Sequence, residues 1–322
     1  MVTAGTVCAM SETVVVNHTE YPLPAEVHEW PGIRIVEAPN RGDIDPDITG
    51  QVVLTRTSGG PNLDALLARD GIEWVHVVGT GVDAFPFDAL QGQILTCSRG
   101  ISGDLIGEWV FAQMLAFAKG LPDVWLDEGP GEWSAPDRRI GSLRGATVVI
   151  FGVGGIGAEV ARLSLALDMN VIGVRRRGTE APHDGMTVVN DLAAVLPEAD
   201  HVVIAAPATP ETEGLFDASM FSAMKPGVHL CNIARGTLVD QDALRTALDD
   251  GTVARASLDV ATPEPLPADH WMFDHPKVLL TPHTSWAGPG AFQKMIDTFE
   301  ANYLRWRADE PLEGIVDTDA GY

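Results

Sequence analysis

The stretch Ala146–Arg177, ATVVIFGVGGIGAEVARLSLALDMNVIGVRRR, runs through a strand, a turn, a helix and a second strand without a break. Thr147 to Phe151 is a short β-branched apolar run, the composition of a strand buried on both faces. It ends directly in Gly152-Val153-Gly154-Gly155-Ile156-Gly157, a G-x-G-x-x-G turn. The first glycine of such a turn permits the sharp bend, and the second lets a pyrophosphate approach the backbone. The third lets the following helix lie close to the strand. An apolar helix from Ala158 to Leu167 and a strand from Asn170 to Val174 complete the unit. In a chain with 33 glycines the turn alone is a weak signal. Its setting makes it a dinucleotide site, with Gly152, Gly154, Gly155, Ile156 and Gly157 around phosphates seated on a helix N-terminus.

The residue closing the second strand bears on which dinucleotide is bound. A site for NAD usually places Asp or Glu there to bind the ribose 2′-hydroxyl. Here stand Arg175, Arg176 and Arg177. In so acidic a chain, three adjacent cations at the adenosine ribose read as a clamp for a 2′-phosphate, so NADP(H) is expected over NAD(H), with NAD(H) still open. The plainer alternative is a solvated strand end.

With 322 residues and 45% hydrophobic content the chain has room for two domains with full cores. Twenty-one basic residues against 45 acidic ones leave a net charge of −24, which repels nucleic acid and anionic membrane surfaces. Small molecules are the expected partners. Cys8, Cys97 and Cys231 are odd in number and widely spaced, which suggests neither a disulfide framework nor a metal site and fits a reducing cytoplasm. No signal peptide or spanning helix is expected, and Met10 is an alternative start.

Before the glycine turn, Ile33 to Glu37, Gln51 to Leu54, Trp74 to Val78 and Gln93 to Thr96 read as strands, with a helix around Asn62 to Ala68. Ser102 to Lys119 reads as a long, mostly buried helix that links two domains. After the turn, strands are expected at His201 to Ala205, Val228 to Ile233, Ala256 to Val260 and Val278 to Thr281. Helices are expected around Leu192, Met220 and Ala243. This alternation is that of a doubly wound parallel sheet. A last helix, Gly290 to Asp309, lines up Phe292, Ile296, Phe299, Tyr303 and Trp306 and must cover a core, taken to be that of the first domain.

Three of these strands end in polar residues. Arg235 follows Cys231-Asn232-Ile233-Ala234, Glu264 sits in the proline-rich loop after Leu258-Asp259, and His283 follows Leu280-Thr281-Pro282. Each has an ordinary alternative as a surface residue. Together, an arginine, a carboxylate and a histidine on successive strand ends beside a dinucleotide are the types needed to bind a carboxylate, orient a ring and move a proton.

At these residues the chain resembles the D-isomer-specific 2-hydroxyacid dehydrogenase family over essentially its full length. The resemblance rests on the glycine turn, Pro207-Ala208-Thr209-Pro210-Glu211-Thr212, Asn232-Ile233-Ala234-Arg235-Gly236, Leu258 to Pro265, and Thr281-Pro282-His283, in the family's order and spacing. It implies Arg235, Glu264 and His283 as the catalytic trio. Pro207, Thr212 and Ala234 would line the nucleotide, and Asp259 would meet the nicotinamide carboxamide. Val78-Gly79-Thr80-Gly81-Val82-Asp83 matches the family's substrate loop, so amides at Thr80 and Gly81 would hold the substrate carboxylate. Trp286 is a candidate pocket wall or a core tryptophan.

The implied chemistry is reduction of a 2-oxoacid to the D-2-hydroxyacid, with Arg235 forked onto the substrate, His283 donating the proton, and Glu264 favouring the imidazolium. The implied fold is α/β: a Rossmann-type doubly wound domain over residues 103–287 and a smaller flavodoxin-like substrate domain from 1–102 and 288–322. The three arginines depart from NAD-using members and point to those acting on glyoxylate and hydroxypyruvate. A phosphoglycerate dehydrogenase-like enzyme using NAD, and a dinucleotide-sensing corepressor on the same fold, are the alternatives. Glu264, where formate dehydrogenases carry Gln, argues against that chemistry. The helix from Ser102 and the loop to Arg139 resemble the family's dimerisation arm, which implies a homodimer.

Overall fold

The computed structural model describes residues 12–121, 123–125, 129 and 140–322. Cys8, Met10 and most of the expected arm toward Arg139 lie outside them. The chain divides into two compact units, Met1–Ile101 with Phe292–Tyr322, and Ser102–Ala291.

The first unit is built on strands β1 (Thr13–Asn17), β2 (Ile33–Glu37), β3 (Val52–Arg56), β4 (Trp74–Val78) and β5 (Ile94–Cys97), with helix α1 at Leu63–Leu67. All pairings are parallel, in the order β2-β1-β3-β4-β5, the flavodoxin-like arrangement. β1 was not among the expected strands. Its TVVVN run is as β-branched as its neighbours and is buried at all five positions.

The second unit contains α2 (Gly103–Lys119), β6 (Thr147–Phe151), α3 (Gly155–Leu165), β7 (Asn170–Val174), β8 (Met186–Val189), β9 (His201–Ile204), α4 (Ala218–Ser222), β10 (Val228–Asn232), α5 (Gln241–Asp250), β11 (Val253–Leu258) and β12 (Val278–Leu280). Its seven strands run parallel in the order β12-β11-β10-β9-β6-β7-β8. The chain winds outward from β6 to one edge, returns at β9, and winds to the other. The strand order therefore reverses between β6 and β9, and the crevice at their carboxyl ends is where such sheets bind ligands. The helix expected around Leu192 is replaced by a short 3-10 turn at Leu196–Glu198, because Pro197 lacks the N–H a longer helix needs. β8 was not expected either.

The last helix, α6 (Ala291–Arg307), buries Ile296, Phe299 and Tyr303 against Trp30 and Trp74 of the first unit, with Trp306 packed beside them. Phe292 departs from the expected buried face and stays exposed, edge-on to Tyr21.

One buried polar chain crosses the second sheet. His201 Nδ1 lies 3.1 Å from His229 Nδ1, His229 Nε2 lies 3.0 Å from Ser257 Oγ, and Ser257 Oγ lies 3.4 Å from Gln113 Oε1 on α2. Gln113 Oε1 only accepts, so Ser257 donates to it and receives the proton of His229 Nε2. Neutral His229 then accepts at Nδ1 from His201. Phe117 stacks on the His229 ring at 4.6 Å, which completes the enclosure.

Candidate active site

The glycine turn joins β6 to α3 at the point of reversal. Gly152 has φ 101°, and a Cβ there would fall 2.5 Å from the Ala206 nitrogen at the end of β9. A Cβ at Gly157 would fall 2.0 Å from the Gly152 oxygen. At Gly154, the N-cap of α3, the same position is open. Two glycines are thus required by close packing and one leaves backbone accessible, which is the cradle a pyrophosphate fits. Ile156 is half-buried in the first turn of α3. On the other side of the crevice, the Thr212 hydroxyl donates to the Pro207 carbonyl at 2.9 Å and accepts the Thr209 N–H at 2.8 Å, closing loop 207–212 on itself.

The arginines at the end of β7 are not equivalent. Arg175 is half-buried and directs its guanidinium at two carbonyls, those of Val153 and Glu180, while Arg176 and Arg177 are exposed. Arg176 lies near Glu211. A hydrogen bond from Thr209 chiefly holds that carboxyl below its ordinary range, with the Arg176 charge a lesser cause.

At the end of β10 the fully buried Asn232 builds the Arg235 turn. Its Oδ1 accepts the Ala234 N–H at 3.0 Å and its Nδ2 donates to the Arg235 carbonyl at 2.9 Å. A Cβ at Gly236 would fall 2.1 Å from the Ala261 carbonyl carbon, so this turn is pressed against the loop that follows β11. In that loop the Ala261 N–H donates to Glu264 Oε1 at 3.0 Å, and Thr262-Pro263 and Glu264-Pro265 are cis. The other oxygen of Glu264 lies 2.8 Å from His283 Nδ1, with both side chains 39% exposed.

His283 adopts φ 54°, uncommon for a residue other than glycine, and the surroundings determine it fully. Its N–H donates to the Asp259 carbonyl at 2.9 Å, and its own carbonyl accepts the Trp286 indole N–H at 2.9 Å. The Asp259 carboxylate, 1% exposed, takes the Thr281 hydroxyl at 2.6 Å, the Thr284 N–H at 2.8 Å and the Ser285 N–H at 2.9 Å. The geometry therefore gives Asp259 the task of building the His283 turn; contact with a nicotinamide carboxamide stays an expectation from the resemblance. Trp286 is 40% exposed and belongs to the same turn, not to the core.

In the first unit, Thr80 and Gly81 follow β4, and the Thr80 hydroxyl donates to the Ser98 carbonyl at 2.8 Å. The neighbouring strand, β3, ends at a cavity of about 460 Å³ lined by Arg41, Arg56, Ser58, Gly60, Asp64 and others. Arg56 Nε is buried without an acceptor. This cavity escaped the sequence reading, because Arg41 and Arg56 are 15 positions apart by numbering (56 − 41) and match no pattern. Asn232 was visible only as a motif letter, without a task. Among the described residues no group of His, Cys, Asp and Glu is arranged to hold a metal, and no helix is long and apolar enough to cross a membrane.

A glycine cradle at the reversal of a parallel sheet, with a histidine–carboxylate pair and an arginine on the following strand ends, defines a nicotinamide-nucleotide-dependent oxidoreductase. The family model for the NAD binding domain of D-isomer specific 2-hydroxyacid dehydrogenases matches residues 111–285. Glyoxylate/hydroxypyruvate reductase B of Pectobacterium atrosepticum is 36% identical over 237 residues, 70% of this chain and 73% of that protein. D-3-phosphoglycerate dehydrogenase of Rattus norvegicus is 26% identical over 315 residues, 95% of this chain and 58% of that protein. The crystal structure of a D-isomer specific 2-hydroxyacid dehydrogenase from Xanthobacter autotrophicus, in complex with NADPH and MES, superposes with a TM-score of 0.82. It is 25% identical, with 97% of this chain and 100% of that one covered. The chain belongs to the D-isomer specific 2-hydroxyacid dehydrogenases and is an NAD(P)-dependent enzyme acting on CH–OH groups.

Proposed function

We propose that the protein reduces a small 2-oxoacid of the glyoxylate or hydroxypyruvate kind to the D-2-hydroxyacid, with NADPH preferred over NADH. The observation that carries the reaction is the 2.8 Å pair of His283 Nδ1 and Glu264 Oε2. With Nδ1 engaged by a carboxylate, the ring's other nitrogen is the one left to exchange a proton with substrate. The glycine turn, Gly152 to Gly157, would hold a nicotinamide nucleotide, which when bound would supply the hydride. Arg235 forks onto the substrate carboxylate and carbonyl, and Asn232 fixes the turn that carries it. Thr80 and Gly81, after β4 of the first unit, are proposed as substrate-binding residues. His283 Nε2 gives its proton to the developing alkoxide, and Glu264 balances the charge of the imidazolium that gives it.

NADPH is favoured by the cations after β7 and by the NADPH complex of the Xanthobacter relative. The two described cysteines, Cys97 and Cys231, are buried free thiols, in keeping with a reducing compartment. A second reading has one observation of its own. The likeness to D-3-phosphoglycerate dehydrogenases favours a substrate with a second anionic group. Steady-state rates for glyoxylate, hydroxypyruvate, pyruvate and a phosphorylated hydroxypyruvate, each with NADPH and NADH, test both readings. The proposal expects the first two with NADPH to give the highest kcat/KM; a phosphorylated substrate far ahead of them would favour the second reading.

A further inference from the structure

We infer that Arg175 is a positioning residue for the glycine turn, so that discrimination between the two nucleotides falls to Arg176 and Arg177; this rests on the reading that NADPH is preferred. Arg175 Nη2 donates to the Val153 carbonyl at 2.9 Å and Nη1 to the Glu180 carbonyl at 3.2 Å. Its own N–H donates to the Val189 carbonyl at 3.1 Å. One guanidinium thus ties the glycine turn to the loop beyond β7. Rotating it toward a 2′-phosphate would strip both carbonyls of this donor, a cost that offsets the new contact.

Val153 is the residue between Gly152 and Gly154, and β7 holds it a second time. Its buried side chain lies over Gly173, where a Cβ would fall 2.6 Å from Val153 Cγ2. Fixing Val153 fixes the peptide that leads into Gly154 and the first N–H groups of α3, which meet the pyrophosphate common to NADH and NADPH. The exposed turn beyond is built separately. Asn190 Nδ2 donates to the carbonyls of Arg175 at 2.8 Å and Gly178 at 3.1 Å, closing the segment that presents Arg176 and Arg177.

The test measures dissociation constants of NADPH and NADH by nucleotide fluorescence for the full chain, Arg175→Ala, Arg175→Gln and the pair Arg176→Ala/Arg177→Ala. Arg175→Ala is expected to weaken both nucleotides by about tenfold or more. The ratio of the two constants should stay within about twofold, and the salt dependence of NADPH binding should be unchanged. Arg175→Gln, which keeps an N–H donor without the charge, should restore part of both affinities equally. The double variant should leave NADH unchanged and remove the preference for NADPH. A loss for NADPH much larger than for NADH in Arg175→Ala, or no loss for either, overturns the inference. Where Arg175→Ala does not fold, Arg175→Gln decides by the same ratio. Equal affinities in the unmutated protein would remove the NADPH preference, whereas a parallel loss in the Arg175 variants would still uphold the task of Arg175.

Discussion

Glu264 bridges the two loops of the catalytic end, accepting the Ala261 N–H at one oxygen and facing His283 Nδ1 at 2.8 Å with the other. The carboxylate is anchored before it meets the ring, so it orients His283 as well as balancing its charge. Glu264→Gln keeps the shape and loses the charge. We expect about a 10² fall in kcat at neutral pH with little change in NADPH affinity, measured as turnover across pH 5–9. Turnover within twofold of the unmutated enzyme would detach Glu264 from the chemistry.

Asp259→Asn replaces an acceptor that serves three donors of the His283 turn by one that serves fewer. A buried N–H left without a partner costs about 1–3 kcal/mol. The variant should melt lower and also lose turnover, because the φ 54° conformation of His283 depends on that turn. Unchanged melting temperature and unchanged kcat together would contradict the task given to Asp259.

Gly236→Ala should lower kcat strongly while leaving dinucleotide binding close to normal. Its Cβ would collide with Ala261, two bonds from the N–H that holds Glu264, and the glycine cradle is elsewhere on the sheet. Kinetic constants and nucleotide fluorescence on the same preparation check this; equal losses in both would show general misfolding.

Much of this arrangement was legible in the chain itself. The glycine turn, the strand ends bearing Arg235, Glu264 and His283, and the helix closing the first unit follow from short-range patterns of apolar period and turn residues. What stayed hidden depends on contacts between distant segments. Nothing local distinguishes Arg175, which turns back to a carbonyl 22 positions earlier, from the exposed Arg176. The resemblance gives Asp259 a nicotinamide contact, and its task in the His283 turn shows only when its three donors are seen. β1 and β8 were missed for a different reason: short apolar runs become strands only when neighbours pair with them, here β2 and β3 on the two sides of β1 and β7 beside β8.

The buried histidines predict acid sensitivity. Burial lowers the pKa of His201 to about 4 and of His76 to about 3, and it lowers those of His229 and His18 as well. The unfolded chain takes up protons near pH 6.5 and the folded chain does not, so stability is complete above that pH and declines as pH falls toward the folded values. A proton on His229 Nδ1 would also face the Nδ1–H of His201. The melting temperature should drop by on the order of 5–10 °C between pH 7 and pH 5. A flat profile over that range would show that these rings are not held neutral.

His283 is assigned the proton for ketoacid reduction, and the turnover of His283→Asn with NADPH and the best 2-oxoacid decides that assignment. A fall of about 10² to 10⁴ in kcat is expected at pH values on both sides of neutrality, with the NADPH dissociation constant nearly unchanged. Turnover close to that of the unmutated enzyme at those pH values would contradict it.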